Sequence, residues 1–134
     1  MASSSSIKLQ DDIKRTVIEF IGDIRDNIFV DRNDIANIAK VEFFFNIMNA
    51  QSVTDHIVTH ILPYKNKIDA RDMQFFVDQK DKIFAGLPPA MVDHFANMVL
   101  KPEKQGGLSL YDKNIIWSYF DTLILLAVNY KKLN

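Results

Sequence analysis

"NIIWSYFDTLILLAVNYKKLN" runs from Asn114 to Asn134, and its reading decides the fold. Twelve of the 16 residues from Ile115 to Tyr130 are apolar or aromatic. A membrane-spanning helix needs about 20 predominantly apolar residues. This run is shorter, carries Asp121 at its middle, and has Ser118, Thr122 and Asn129 along it. A carboxylate at the bilayer centre costs roughly 3 kcal/mol, so the stretch reads as a protein-buried helix rather than a membrane span. On a helix, Ser118, Asp121, Thr122, Leu125 and Asn129 form one narrow stripe. Ile115, Ile116, Trp117, Tyr119, Phe120, Leu123, Ile124, Leu126, Ala127 and Val128 cover the rest. A helix apolar on most sides is surrounded on most sides. Either it is the central helix of its own bundle, or part of it stays bare and meets another chain.

The segments before it share the helical period. Ile13, Val17, Phe20, Ile21, Ile24 and Ile28 recur at steps of three and four within residues 7–29. Arg15 is placed to pair with Asp11 or Glu19. "DRND" at 31–34 offers caps for a helix over 34–49, with Ile35, Ile38, Val41, Phe45 and Met48 in one stripe and Phe43, Phe44 and Ile47 widening it. "SVTDHIVTHILP" predicts a third helix capped by Ser52 and stopped by Pro63. A longer helix is expected over 69–85. "GLPP" at 86–89 closes it, and a short helix follows with Met91, Val92, Phe95, Met98 and Val99 inward. The segment 101–113 reads as a loop, with Ser109 or Asp112 capping the closing helix. Period-two alternation is scarce. The expectation is one all-α domain over residues 7–134, a bundle of five to six helices with a largely buried C-terminal helix. Residues 1–6 read as a disordered Ser-rich lead, with Ser5 or Ser6 as a cap.

Composition narrows the function. The 134 residues suit one domain, and net charge is −1. The charge is even along the chain, with 8 basic and 10 acidic residues in 1–70 and 8 and 7 in 71–134. That balance lacks the basic stripe of a phosphate-backbone binder, so nucleic acid is not the expected partner. The absence of Cys removes disulfides, Cys-ligated zinc and thiol catalysis. The N-terminus has neither a basic nor an apolar signal region.

Few side chains are spaced for chemistry. His56 and His60 lie at i, i+4, but the metalloprotease pattern puts Glu after the first His, and Ile57 stands there. A third ligand would have to come from Asp55 or His94. Two polar residues on an amphipathic helix are the simpler reading, and no metal is expected. Asp72, Asp78 and Asp81 alternate with Arg71, Lys80 and Lys82 as a solvated face does, rather than as a general acid–base pair. "KQGG" lacks the strand and helix that a phosphate loop joins. Met48, Met73, Met91 and Met98 read as core filling before they read as an adaptable groove. No enzyme, cofactor or small-molecule substrate is expected.

"IDARDMQFFVDQKDKIF", "LPPAMVDHF" and "LSLYDKNIIWSYFDTLILLAVNY" together resemble a pattern in short helical proteins of large eukaryotic DNA viruses. There an Arg–Asp or Arg–Asn pair precedes a double Phe, and Lys-x-x-Ile-Trp-x-Tyr opens an apolar C-terminal helix. The matching positions are Arg71, Asp72, Phe75, Phe76, Lys113, Ile116, Trp117, Tyr119 and Leu123, within residues 68–130. The resemblance implies a viral protein located in the virion or the infected host cytoplasm, and it implies no reaction. Together with the residue reading it leads to a non-enzymatic protein–protein interaction module, such as a minor virion or capsid component. Its partners would be other viral proteins or a second copy in a homodimer. The candidate binding residues are Phe75, Phe76, Trp117, Tyr119 and Phe120, with Arg71 beside them as a structural ion pair with Asp72 or an interface anchor. The alternative is a viral transcription or genome-associated factor that contacts nucleic acid or polymerase.

Overall fold

The structure is a computed structural model that describes residues 3–84 and 86–133. Among these residues the fold is all-α. Helix α1 spans Ser4–Asn27. Its cap is Ser3, whose hydroxyl accepts from the Ser6 amide at 3.0 Å. Ser4–Ser6 therefore form the first turn rather than a disordered lead, and Ser6 is buried instead of capping. Residues 1 and 2 of that expected lead, and Ala85, lie outside the described residues.

Several of the later helices also start from side-chain caps. Helix α2, Arg32–Ile47, is capped by Asp31. Helix α3, Ala50–His60, is capped by Asn49 through the Ser52 amide, so Ser52 is the residue capped and not the cap. Helix α7 spans Pro89–Leu100 with its proline in the first turn, where a missing N–H costs nothing. Helix α8, Leu110–Lys132, starts from Ser109, which accepts from Asp112.

The one helix expected over 69–85 is three: α4 Lys65–Asp69, α5 Met73–Asp78 and α6 Lys80–Ile83. The cause is local. Arg71 has φ 55°, the left-handed region. The Arg71 amide bonds Ile68 O and the Asp72 amide bonds Lys67 O, both at 3.0 Å. That pair of bonds is the Schellman closure, which terminates a helix. Asp72 then accepts from Phe75 and opens α5. The same closure recurs after residues 103–105, where the Gly106 amide bonds Glu103 O and the Gly107 amide bonds Pro102 O. There the left-handed residue is Gly106, φ 90°, the residue type that adopts it without strain.

Helix α8 is the axis. It packs along α1, touches α3 and α4, and buries Ile116, Trp117, Phe120, Leu123, Ile124 and Ala127. Ser118, Thr122 and Leu125 are exposed and Asp121 and Asn129 half-exposed, the stripe its sequence predicts. Around it, Ile13, Val17 and Ile21 of α1, Ile38, Val41 and Phe45 of α2 and Val53 and Ile57 of α3 join one continuous core. Met91 is buried and Met48, Met73 and Met98 pack against that core, so the methionines fill it. No helix is long and apolar enough to cross a membrane among the described residues.

Candidate functional site

The six residues expected to form a binding surface do come together, but mostly inside the protein. Phe76, Trp117 and Phe120 are buried, and Phe75 and Tyr119 are half-buried. Phe76 meets Trp117 and Phe120 at ring-centroid distances of 5.9 and 5.7 Å. Phe75 packs against Tyr64 at 5.4 Å. The contacts of Phe76 are core contacts that hold α5 to α8. Phe76, Trp117 and Phe120 are too covered to be a surface, because a side chain enclosed by its own chain cannot meet another.

Tyr119 stacks on Phe20 at 4.8 Å and its hydroxyl donates to the Asp23 carboxylate. Burial, together with that anion, pushes the phenol above its ordinary value. Tyr119 thus fixes α8 against α1. Arg71 pairs with Asp121 on α8, not with its neighbour Asp72. Its two terminal nitrogens meet the two carboxylate oxygens, each at 2.6 Å. One of those nitrogens also donates to Ile68 O at 3.1 Å, and the guanidinium lies over Trp117 at 5.4 Å. The hydrogen bond from Arg71 holds the Asp121 carboxyl below the usual carboxylate range. Asp72 is occupied with capping α5 and with Lys67 at 3.7 Å. Arg71 is therefore a structural latch between the α4–α5 turn and α8.

His56 and His60 sit with ring centroids 4.6 Å apart. Burial, and the neighbouring His60, lower the pKa of His56, so its ring is neutral near pH 7. His94 is elsewhere: its Nδ1 lies 2.9 Å from the buried Asp34 carboxylate, joining α7 to the first turn of α2. Asp55 is exposed. Among the described residues no group of three or more His, Asp or Glu is placed to hold a metal ion. The expected carboxylate row is also dispersed, since Asp78 accepts from Gln74 and Lys80 reaches Asp93 instead.

Two features fall outside the sequence reading. The first is the outer face of α2, where Phe43 is 66% exposed, Phe44 57% and Ile47 67%. Ile47 lies one turn on from both rings, i+4 from Phe43 and i+3 from Phe44, so it adjoins each of them. The opposite face of the same helix buries Ile38, Val41 and Phe45, so the element is firmly seated while this triad projects to solvent. The Lys14 ammonium secures its end by donating to Asn46 O at 2.9 Å and Met48 O at 2.7 Å. Periodicity alone ascribed the triad to a wide core stripe. The excess of three apolar side chains over what one stripe can hold was the available signal.

The second feature is a partly open apolar cavity of about 140 Å³ between α1, α2, α3, α6 and α7, with α8 as its floor. Its walls include Phe20, Phe29, Phe45, Phe84, Phe95 and Phe120, and His56 is the one titratable residue on them. A void is a property of how helices meet, and no local pattern announces it.

No family model, curated protein or solved structure matches the chain. The functional reading therefore rests on this geometry.

Proposed function

We propose that this chain is a non-enzymatic helical interaction module that binds a second copy of itself through the outer face of α2. The observation that carries this reading is the exposed triad Phe43, Phe44 and Ile47. Together these side chains present on the order of 350 Å² of apolar surface, within the range of the largest patch on a monomer, which is often a functional one. Two copies related by a two-fold axis would cover each other's triads, and such isologous pairing is the commonest assembly. The triad is then the centre of the contact, because a standard interface covers about 800 Å² per partner. The exposed neighbours Lys40 and Asn46 supply polar rim residues. The resemblance over residues 68–130 adds a setting to this proposal, a component packed among other proteins in a viral particle.

Light scattering coupled to size exclusion tests it on the wild type and on Phe43→Ser/Phe44→Ser, with circular dichroism of each. The expected result is a concentration-dependent dimer for the wild type and a monomer of unchanged helicity for the variant. A wild type that stays monomeric at all concentrations, or a variant that still dimerises, overturns the reading.

A further inference from the structure

We infer that the central cavity is a binding site for a small neutral aromatic molecule carrying one hydroxyl, of the phenol class, with His56 as its single polar contact. Four observations lead there. The space of about 140 Å³ is large for a folded core of this size. An enclosed apolar cavity of about 150 Å³ takes up benzene, so the volume here suffices for one ring. Water is weakly held there, because an ordered water needs two to four polar partners and the wall offers one polar side chain. Six phenylalanines form much of the lining, and their edges and faces favour a ring over a linear chain.

His56 sets the remaining chemistry. Its ring contacts Phe45 and His60, at 5.7 and 4.6 Å, and makes no hydrogen bond to any described residue. A half-buried imidazole without a partner leaves a nitrogen free for one hydroxyl. No cationic side chain lines the cavity, so a carboxylate would enter without a counter-charge. Phe20, Ile24, His56, Phe84, Leu87 and Phe95 on the cavity walls are half-buried. The sequence reading finds no small-molecule site, since these residues all qualify as core.

The test uses the full chain and four probes: phenol, benzene, 1-hexanol and benzoate. Methyl NMR follows Ile57, Met91 and Val92, which line the cavity, and thermal unfolding follows stability. Phenol is expected to give saturable shifts at these methyls and to raise the unfolding midpoint by about 5 °C at saturation. One hydrogen bond makes phenol bind roughly threefold to tenfold tighter than benzene. Benzoate is expected to leave the spectra unchanged. His56→Phe keeps an apolar wall and is expected to bring phenol down to the affinity of benzene. The wild-type series decides the matter by itself if that variant folds poorly. Absence of saturable shifts with both phenol and benzene overturns the site. Tighter binding of hexanol, or a phenol preference that survives His56→Phe, overturns the assigned ligand class. Phe43→Ser/Phe44→Ser is expected to bind phenol as the wild type does, which separates this site from the α2 surface.

Discussion

Arg71 holds a backbone conformation that its side chain disfavours and a side-chain geometry that compensates. With φ 55° it occupies the left-handed position that Gly106 fills in the second Schellman closure. A non-glycine residue there costs about 1–2 kcal/mol. Against this stand the paired bonds to Asp121, the Ile68 carbonyl and the face of Trp117. The pair is nearly half-exposed, 45% for Arg71 and 43% for Asp121, so solvent screening limits it to about 1 kcal/mol or less. Two substitutions should therefore diverge. Arg71→Ala keeps the strain and loses the latch, and is expected to cost about 1 kcal/mol. Arg71→Gly loses the latch but relieves the strain, and should stay within about 0.5 kcal/mol of the wild type. Urea unfolding midpoints measure the order. An equal loss in both would mean that the left-handed conformation carries no strain. The carboxylate side adds a pH signature. The folded pKa of Asp121 is depressed below 3.8, so its contribution is complete above the unfolded value and disappears as pH falls through the folded one. The stability gap between wild type and Asp121→Asn should narrow as pH falls below about 4.

The seam between α1 and α8 includes a polar contact among stacked rings, from Tyr119 to Asp23. Tyr119→Phe preserves the stack on Phe20 and removes the bond to Asp23, so a loss of about 1 kcal/mol is expected. The folded phenol titrates above 10.0 because it is covered and faces an anion. Its contribution is complete below the unfolded value and fades as pH rises beyond it. Wild-type stability should thus decline above about pH 10 more steeply than that of the variant, as thermal unfolding at several pH values would record. At this scale the sequence is informative where one rule dominates. The inward sets of α1 and α7 and the polar stripe of α8 follow from spacing, because each helix has one way to bury its apolar residues. The break at Arg71 escapes that rule. It depends on Asp72 taking the Phe75 amide and on a distant Asp121 steadying a left-handed arginine. Phe43, Phe44 and Ile47 escape it too, because period shows which residues are apolar together and not how many neighbours arrive to cover them. The candidate binding residues were legible as a cluster, through Phe76, Trp117 and Phe120, and their burial was settled only by α5 closing over α8.

The molecule as a whole combines two long helices, α1 and α8, with a middle section of short ones. Helices of four to six residues, such as α4, α5 and α6, are far below the length at which a helix persists in water. They stand because Ile68, Phe76 and Ile83 insert into the core and because Asp72 and Arg71 tie the turn. Local opening begins where few buried side chains hold much exposed backbone. The stretch from α4 to α6 offers one buried apolar anchor per helix, whereas α8 alone offers six. Hydrogen exchange should therefore separate two classes of amide. Those of α5 and α6 are expected to exchange through sub-global opening at a free energy below that of unfolding, while those at the centres of α1 and α8 exchange only with global unfolding. Because Ile83 and Phe84 also wall the central cavity, such opening would expose it to solvent and give an apolar ligand its route inward. A ligand that seals the cavity should then slow exchange in α6 more than in α4, which lines no part of it. Equal protection across α4 to α8, at the global value, would show that the short helices unfold only with the rest and that entry must occur through the opening present in the folded state.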